Sequence, residues 1–576
     1  MDKRWVYKKD TDQDTIVRLI EQLGVTKPIA TILGQRGIQN FEAAKAFFRP
    51  DLDELHDPFE MLNMVLAVER ISTAILNQEN ILIYGDYDVD GTTAVALMYE
   101  YLTREYEQVG YYIPDRYKEG YGISRDGVDF AIDNSFTLVI ALDCGIKAVG
   151  EITYAKENGV DFIVCDHHLP GEEIPPGIIL NPKQKDCPYP FKELSGCGVG
   201  FKLVQAMNSV DNHPLDEILP LLDLVVVSIG ADIVSMTGEN RLLAYFGLKL
   251  LNQSPRIGFK RILELSNTKG DLSIMDVVFS IAPRINAAGR ISSGNKAVEL
   301  LLAQSFDEVE EVSKLINTNN ETRKGLDRSI TQEALEVIQQ DDWLLNAKST
   351  VVFNPDWHKG VVGIVASRLI EKHYRPTIVL TESNGEAVGS ARSVKGFNIH
   401  DAIAQCSDLL TQFGGHYFAA GLTMPLDNVT AFKMKFNEVA QNLLTEDMLV
   451  PEIEIDAEIN FRDIFENQLG GIPKFYRVLK QLAPFGPDNM APVFVSRQVK
   501  DTGYSRLLKD EHVKLSIRQA EYPEIIIEAI AFGFGHLMSR ILKEPFDIVY
   551  TIAENHWQGR TSLQLMIKDI RFADRL

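Results

Sequence analysis

The stretch ILIYGDYDVDGTT, residues 81–93, decides the fold. It opens as an unbroken apolar run, Ile81-Leu82-Ile83-Tyr84, and passes through Gly85 into aspartates at alternate positions, Asp86, Asp88 and Asp90, before Gly91 turns the chain. Thr92 to Tyr101 then reads as a helix. A short apolar run bounded by turn residues is consistent with a strand buried on both faces, and alternate side chains of extended chain project to one side. The same pattern recurs downstream. Leu138 to Leu142 ends at Asp143 in ALDCG, with a helix near Val149 to Asn158. Phe162 to Cys165 ends in Asp166-His167-His168, and Ile178 to Leu180 is a fourth run. Unbroken apolar strands alternating with helices predict a parallel sheet covered on both faces, an α/β domain.

Three consecutive strands thus deliver acids or imidazoles at their carboxyl ends, the edge where open α/β sheets bind ligands. Acids that converge this closely repel one another unless cations neutralise them. Oxygen ligands with a histidine suit Mn²⁺ or Mg²⁺ better than zinc, and no cysteine-rich cluster is present. Two such metals ~3.5–4 Å apart could activate a water and stabilise the leaving oxygen of a phosphoester. Taken singly the pieces are ordinary, since an isolated Asp-x-Asp is usually a solvated turn and a His-His pair usually structural. Their recurrence at successive strand ends carries the argument.

At 576 residues the chain exceeds the roughly 250–300 that one core supports, so several domains are expected. Residues 1–75 read as an amphipathic helical segment, for example Thr15 to Leu23 and Phe41 to Phe48, and residues 76–250 hold the α/β unit. Residues 251–345 form a helical connector ending in a long charged helix, Asp307 to Gln340. Residues 346–446 are a second α/β unit, with strands near Thr350 to Phe353 and Thr377 to Leu380 and helices near Val362 to His373 and Ala402 to Leu410. From residue 447 to 576 short alternating strands at Val513 to Ile517, Phe546 to Ile552 and Leu563 to Ile567 suit a small barrel. The net charge of -23 opposes loose binding to duplex DNA but allows a locally basic groove. Five scattered cysteines, no signal-like N-terminus and no membrane-spanning run point to the cytoplasm.

GDYDVDG, ALDCG and DHH resemble the first three motifs of the DHH phosphoesterases, two-metal phosphate hydrolases, and SIGADIV adds Asp232 as the later aspartate. The resemblance implies that Asp88, Asp90, Asp143, His167 and Asp232 hold two divalent cations, Mn²⁺ or Mg²⁺. It implies that His168 assists catalysis, as proton donor or by contacting the scissile phosphate. Asp86 would be the additional acid of RecJ-like members, and Asp166 would orient the histidine pair. Tyr84 stands where some members carry a histidine ligand; a phenol with a pKa near ~10 is a poor ligand, which leaves Asp86 or water to substitute.

GSARS (389–393) and FGGHYFAAG (413–421) resemble the DHH-associated domain, whose GGH motif closes over the metal site. PRINAAGR (283–290), HKGVVGIVASR (358–368) and DRYKEGYGIS (115–124) resemble the RecJ exonucleases. They imply a pocket of Arg116, Arg290, Ser390, Arg392, Gly415 and His416 for a terminal 5′ phosphate, with Arg284 the alternative to Arg290. LAPFGPDNMAPVF (482–494) resembles the RecJ oligonucleotide-binding barrel, to which Tyr504, Arg506, Lys509, Lys514, Arg518 and Trp557 could contribute grip. The expected architecture is therefore a DHH domain and a DHH-associated domain joined by a long helix, with a C-terminal OB-type barrel. The expected activity is 5′ to 3′ hydrolysis of single-stranded DNA to nucleoside 5′-monophosphates in recombination and repair. Single-strand-binding protein and a RecQ-type helicase are the implied partners. Two rivals fit less well. Hydrolases of very short oligonucleotides or cyclic dinucleotides lack the barrel, and non-catalytic replication scaffolds lose the metal-site acids.

Overall fold

The computed structural model describes residues 3–9, 11–291, 293–465, 471–557 and 559–573. The chain forms two compact units, one built from His56–Val234 and Phe246–Pro451, the other from Lys3–Leu55, Ser235–Tyr245 and Glu452–Leu576.

In the first unit the apolar runs form a five-stranded sheet in the order Val109–Tyr112, Asn80–Gly85, Phe136–Leu142, Asp161–Cys165 and Ile178–Leu180. Every pairing is parallel, and the register sets Leu82 beside Val139 and Val139 beside Phe162. Their carboxyl ends therefore lie at one edge. The helix Val89–Leu102 leaves that edge directly and is buried along most of its length, packed against helices Gly196–Val210 and Leu222–Asp232. Val109–Tyr112 was not foreseen, because at the sheet margin its residues are only half-buried and carry no unbroken apolar run.

The same unit carries a second, mixed sheet in the order Gln412–Gly415, Ala419–Pro425, Glu386–Arg392, Thr377–Ser383 and Thr350–Phe353. Only the last pair is parallel. GSARS thus lies largely on a strand, and GGH ends one. The helix expected over 402–410 is shorter, Ile399–Ala404 followed by the 3₁₀ turn Ser407–Leu409. The long helix Phe306–Gln340 runs as the sequence predicts, started by Ser305, whose side chain accepts from the Glu308 amide.

In the second unit, strands Phe494–Asp501, Phe546–Trp557, Arg560–Phe572, Tyr522–Ala531 and His512–Gln519 pair in that order, and the last pairs back onto the first. This closed five-stranded ring is the expected barrel. The segment expected as helical over 1–75 divides between the two units. It opens with a strand, Arg4–Tyr7, paired in parallel with Glu452–Ile455. Ile16, Leu19, Ile29 and Leu33 then share one core with Phe461, Phe475, Phe494 and Tyr550, because an amphipathic helix must bury its apolar stripe somewhere. Met64–Leu76 belongs to the first unit. Among the described residues no helix is long and apolar enough to cross a membrane.

Candidate metal centre and phosphate pocket

The centre is built by turns that only certain residues allow. A Cβ on Gly91 would lie 2.3 Å from the Asp86 carbonyl oxygen, so the chain can fold from strand into helix there only with glycine. Asp88 caps that helix, its Oδ1 accepting from the Gly91 amide at 3.1 Å. Asp90 lies inside the first turn, and its carboxylate reaches across to the N-terminus of helix Gly196–Val210. It accepts there from the Gly196 and Cys197 amides, both at 2.7 Å, and from Ser228 Oγ at 2.7 Å. Asp143 ends its strand in the left-handed region at φ 59°, a conformation aspartate tolerates better than most residues.

The histidine pair is oriented by its neighbours. Asp166 Oδ1 accepts from the His167 amide at 2.7 Å, the His168 amide at 3.0 Å and His168 Nδ1 at 2.8 Å, while Oδ2 accepts from the Ile146 amide at 2.9 Å. Burial works against ionisation of Asp166, but His168 and these donors hold it at about 2. A carboxylate only accepts, so His168 carries a proton on Nδ1 and turns Nε2 toward the Tyr121 hydroxyl at 3.2 Å. His167 Nδ1 faces the Leu194 carbonyl at 3.0 Å, which fixes its proton there and leaves the Nε2 lone pair for the centre.

His167 Nε2 lies 3.2 Å from Asp143 Oδ1, 3.6 Å from Asp232 Oδ2 and 3.8 Å from Asp90 Oδ2. Asp90, His167 and Asp232 present ligand atoms close enough for one ion, as do Asp143, His167 and His168. His167 Nε2, Asp143 Oδ1 and Asp86 Oδ2 are all buried without a hydrogen-bond partner. Burial, then the mutual repulsion of neighbouring carboxylates, pushes Asp86, Asp143 and Asp232 well above the ordinary carboxylate range, and Asp88 above it too. Orphaned buried acceptors gathered around a neutral imidazole are what divalent cations would satisfy, so the donor set fits the implied pair. Asp232, at the end of its helix, is the most open of the group at 34% side-chain exposure. Tyr84 is no ligand: its hydroxyl donates to the Gly122 carbonyl at 3.0 Å and accepts from the Ser124 amide at 3.1 Å.

The second sheet brings the phosphate-binding candidates to the same unit. The His416 ring stacks on His168 at 6.4 Å between centroids, with planes 16° apart. Gly415, at φ 152°, is forced to be glycine, since a Cβ would lie 2.4 Å from the Ala419 carbonyl oxygen. Arg392 donates to Ser390 Oγ at 2.7 Å, and both abut Gly363 at the start of helix Val362–Lys372. Arg290 donates to the Gly360 carbonyl at 3.1 Å, while Arg116 lies over the Tyr87 ring at 4.9 Å. Burial and then the charges of Arg116, Arg323 and Arg392 push Arg290 down to about 10, and the helix Ala282–Ile291 that carries Arg290 packs against Phe306–Gln340, which carries Arg323. Arg284 is turned instead into helix packing, donating to the Ser280 carbonyl at 2.7 Å and Asn317 Oδ1 at 3.3 Å. Tyr121 and Arg323 were not singled out in the sequence. Tyr121 sits in a quoted motif, but only the fold reveals its contact with His168.

On the barrel, Tyr504 is 82% exposed, and Arg506 pairs across strands with Lys514, as Lys500 does with Arg518. Lys514 is partly neutralised by Glu528 at 3.0 Å. Lys509 is exposed on a left-handed turn residue, and the side chain of Trp557 lies outside the described residues.

Known proteins match this arrangement in chain order. Residues 80–229 match the DHH family, N-terminal domain; residues 346–442 the DHHA1 domain; and residues 455–569 the RecJ OB domain. The single-stranded-DNA-specific exonuclease RecJ of Bacillus subtilis (strain 168) is 40% identical over 572 residues, which cover 98% of this chain and 70% of that protein. Its counterpart in Haemophilus influenzae is 30% identical over 544 residues, covering 91% and 93%. The crystal structure of RecJ in complex with Mn²⁺ from Thermus thermophilus aligns over 99% of this chain and 79% of that one, with a TM-score of 0.84 and 27% identity. The fold, the cluster of candidate metal ligands and a likeness over nearly the whole of this chain therefore agree, and the chain belongs to the RecJ family of single-stranded-DNA-specific exonucleases.

Proposed function

We propose that the protein is a metal-dependent exonuclease that degrades single-stranded DNA from the 5′ end, releasing nucleoside 5′-monophosphates during recombination and repair. The observation that carries this reading is the cluster of buried, unpartnered acid and imidazole atoms at the sheet edge, in the same unit as a group of half-buried arginines. Asp86, Asp88, Asp90, Asp143, His167 and Asp232 would hold two cations, Mn²⁺ or Mg²⁺. Bound there, the pair would supply a water acidic enough to give up a proton and so become a nucleophile, and charge stabilisation for the leaving oxygen. Asp166 fixes the proton of His168 on Nδ1, so that Nε2 can exchange a proton with the reacting phosphate group. Arg392, Ser390, Arg290 and Arg116 would grip the terminal phosphate, with arginine forks matched to its oxygens. Gly415 and His416 would close beside His168.

An enzyme confined to single strands depends on other proteins to expose them, which supports a RecQ-type helicase and a single-strand-binding protein as partners. Five free, buried cysteines suit a reducing compartment, and the cytoplasm is the proposed location. The decisive assay follows mononucleotide release from 5′-labelled and 3′-labelled single strands, with Mn²⁺ and with EDTA. The 5′ label should appear first as mononucleotide, only with metal, and duplex should resist. Release of the 3′ label first, or release unaffected by EDTA, would overturn the reading.

A further inference from the structure

The long helix Phe306–Gln340 does more than join two sheets. One of its faces carries Asn317, Asn320, Arg323 and Asp327, spaced three or four residues apart. The two ends of this row are occupied. Asn317 Oδ1 accepts from Arg284, and Asp327 is gripped by Arg368 Nε at 2.7 and 2.9 Å. The middle is not. Asn320 is wholly buried, its Oδ1 accepts from Arg323 Nη2 at 3.0 Å, and its Nδ2 has no partner. Arg323 Nε is likewise buried without a partner. Two buried donors, an amide and a guanidinium tied together, are therefore left unsatisfied, a costly state unless something supplies oxygen.

We propose that Arg323, held by the Asn320 amide oxygen, is a further part of the anion pocket and donates to phosphate oxygens of the terminal nucleotide. This rests on the phosphate pocket proposed above and adds a contact from the connecting helix, which no motif in the sequence suggested. The surroundings favour an anion. Of the neighbouring carboxylates, Asp327 is gripped by Arg368, and Glu321, two residues from Arg323, pairs with Lys324 at 2.8 Å. Helix Phe306–Gln340 packs against helix Ala282–Ile291, which carries Arg290, and against helix Val362–Lys372, whose Gly363 abuts Arg392 and Ser390, and the charge of Arg323 is felt by Arg290. Four guanidiniums this near one another repel until an anion of high charge density joins them, and a terminal phosphate carries more charge than an internal diester.

The test compares wild type, Arg323→Ala, Arg323→Lys and Arg392→Ala on matched single strands ending in 5′ phosphate or 5′ hydroxyl. KM and kcat are measured separately, and melting curves check the fold. Arg323→Ala should raise KM for the phosphorylated strand about tenfold or more, leave kcat within about twofold and barely affect the hydroxyl-ended strand. Arg323→Lys keeps the charge but loses the fork, so part of the preference should go; it also serves if the alanine variant does not fold. If Arg392→Ala loses the preference and both Arg323 variants keep it, the inference falls and the pocket stands. A wild type indifferent to the 5′ phosphate overturns both. Equal losses on the two strands, with a lower melting temperature, would mean a purely structural role and also overturn the inference.

Discussion

Asp143 joins two properties that rarely coincide. Its backbone is left-handed, and its carboxylate is buried, with Oδ1 unpartnered and 3.2 Å from His167 Nε2. Helix Gly196–Val210 closes on it so tightly that a Cβ at Gly196 would lie 2.5 Å from Asp143 Oδ1. Asp143→Ala should cut hydrolysis of single-stranded DNA by at least ~100-fold, since a ligand of the reacting centre is gone. The metal-free variant should be no less stable than metal-free wild type, because one of several repelling charges has left. Parallel rate and melting measurements check both statements, and near-normal hydrolysis by a folded variant would remove Asp143 from the centre. Some of this was legible in the sequence: acids at strand ends need only the strands to be recognised. The engagement of Tyr84 with Gly122 and Ser124 was not, because a hydroxyl's partner depends on a loop nearly 40 residues further on.

The parallel sheet focuses Asp86 and Asp143 at one edge, where helix Leu222–Asp232 adds Asp232, and each resists ionisation, first through burial and then through its neighbours. For such carboxyls the folded value lies above the unfolded one. Without metal the fold is therefore penalised as pH rises above the unfolded value, fully so beyond the folded values, and relieved as pH falls through them. Cations remove the penalty by pairing with the charged forms, and at 100-fold excess over Kd they add about 2.7 kcal/mol by mass action. The gap in melting temperature between protein with Mn²⁺ and protein stripped by EDTA should accordingly be wider at pH 8 than at pH 6. A gap independent of pH would show that these carboxyls are not what the metal neutralises. The elements themselves were mostly readable, because Ile81 to Tyr84, Leu138 to Leu142 and Phe162 to Cys165 are unbroken apolar runs and Phe306–Gln340 has steady helical periodicity. The marginal strand Val109–Tyr112 and the strands around GSARS and GGH were not, since half-exposed or glycine-rich strands lack such a run.

At the scale of the molecule, a barrel independent of the rest would let a chain ending near Val450 keep its chemistry and lose its grip. The second unit changes that expectation, because Ile16, Leu19, Ile29 and Leu33 share their core with the barrel segment. Removing 452–576 alone should give an aggregating protein, each uncovered side chain forfeiting about 1.5–3 kcal/mol of burial. Removing 3–55 as well should restore solubility. That doubly shortened protein should cleave short strands with kcat near wild type, but KM for long strands should rise at least ~100-fold as base stacking at ~1–3 kcal/mol per base is lost. Solubility, melting and a length series of strands test this, and equal solubility of the two deletions would refute it. The pairing of Arg4–Tyr7 with Glu452–Ile455 also bears on synthesis. Residues 3–55 leave the ribosome about 400 residues ahead of their partners, a wait of roughly 20–80 s at ~5–20 residues per second. The middle of the chain can fold during that interval, while the N-terminal helices stand with their apolar stripes uncovered, and a nascent chain interrupted before the barrel never covers them.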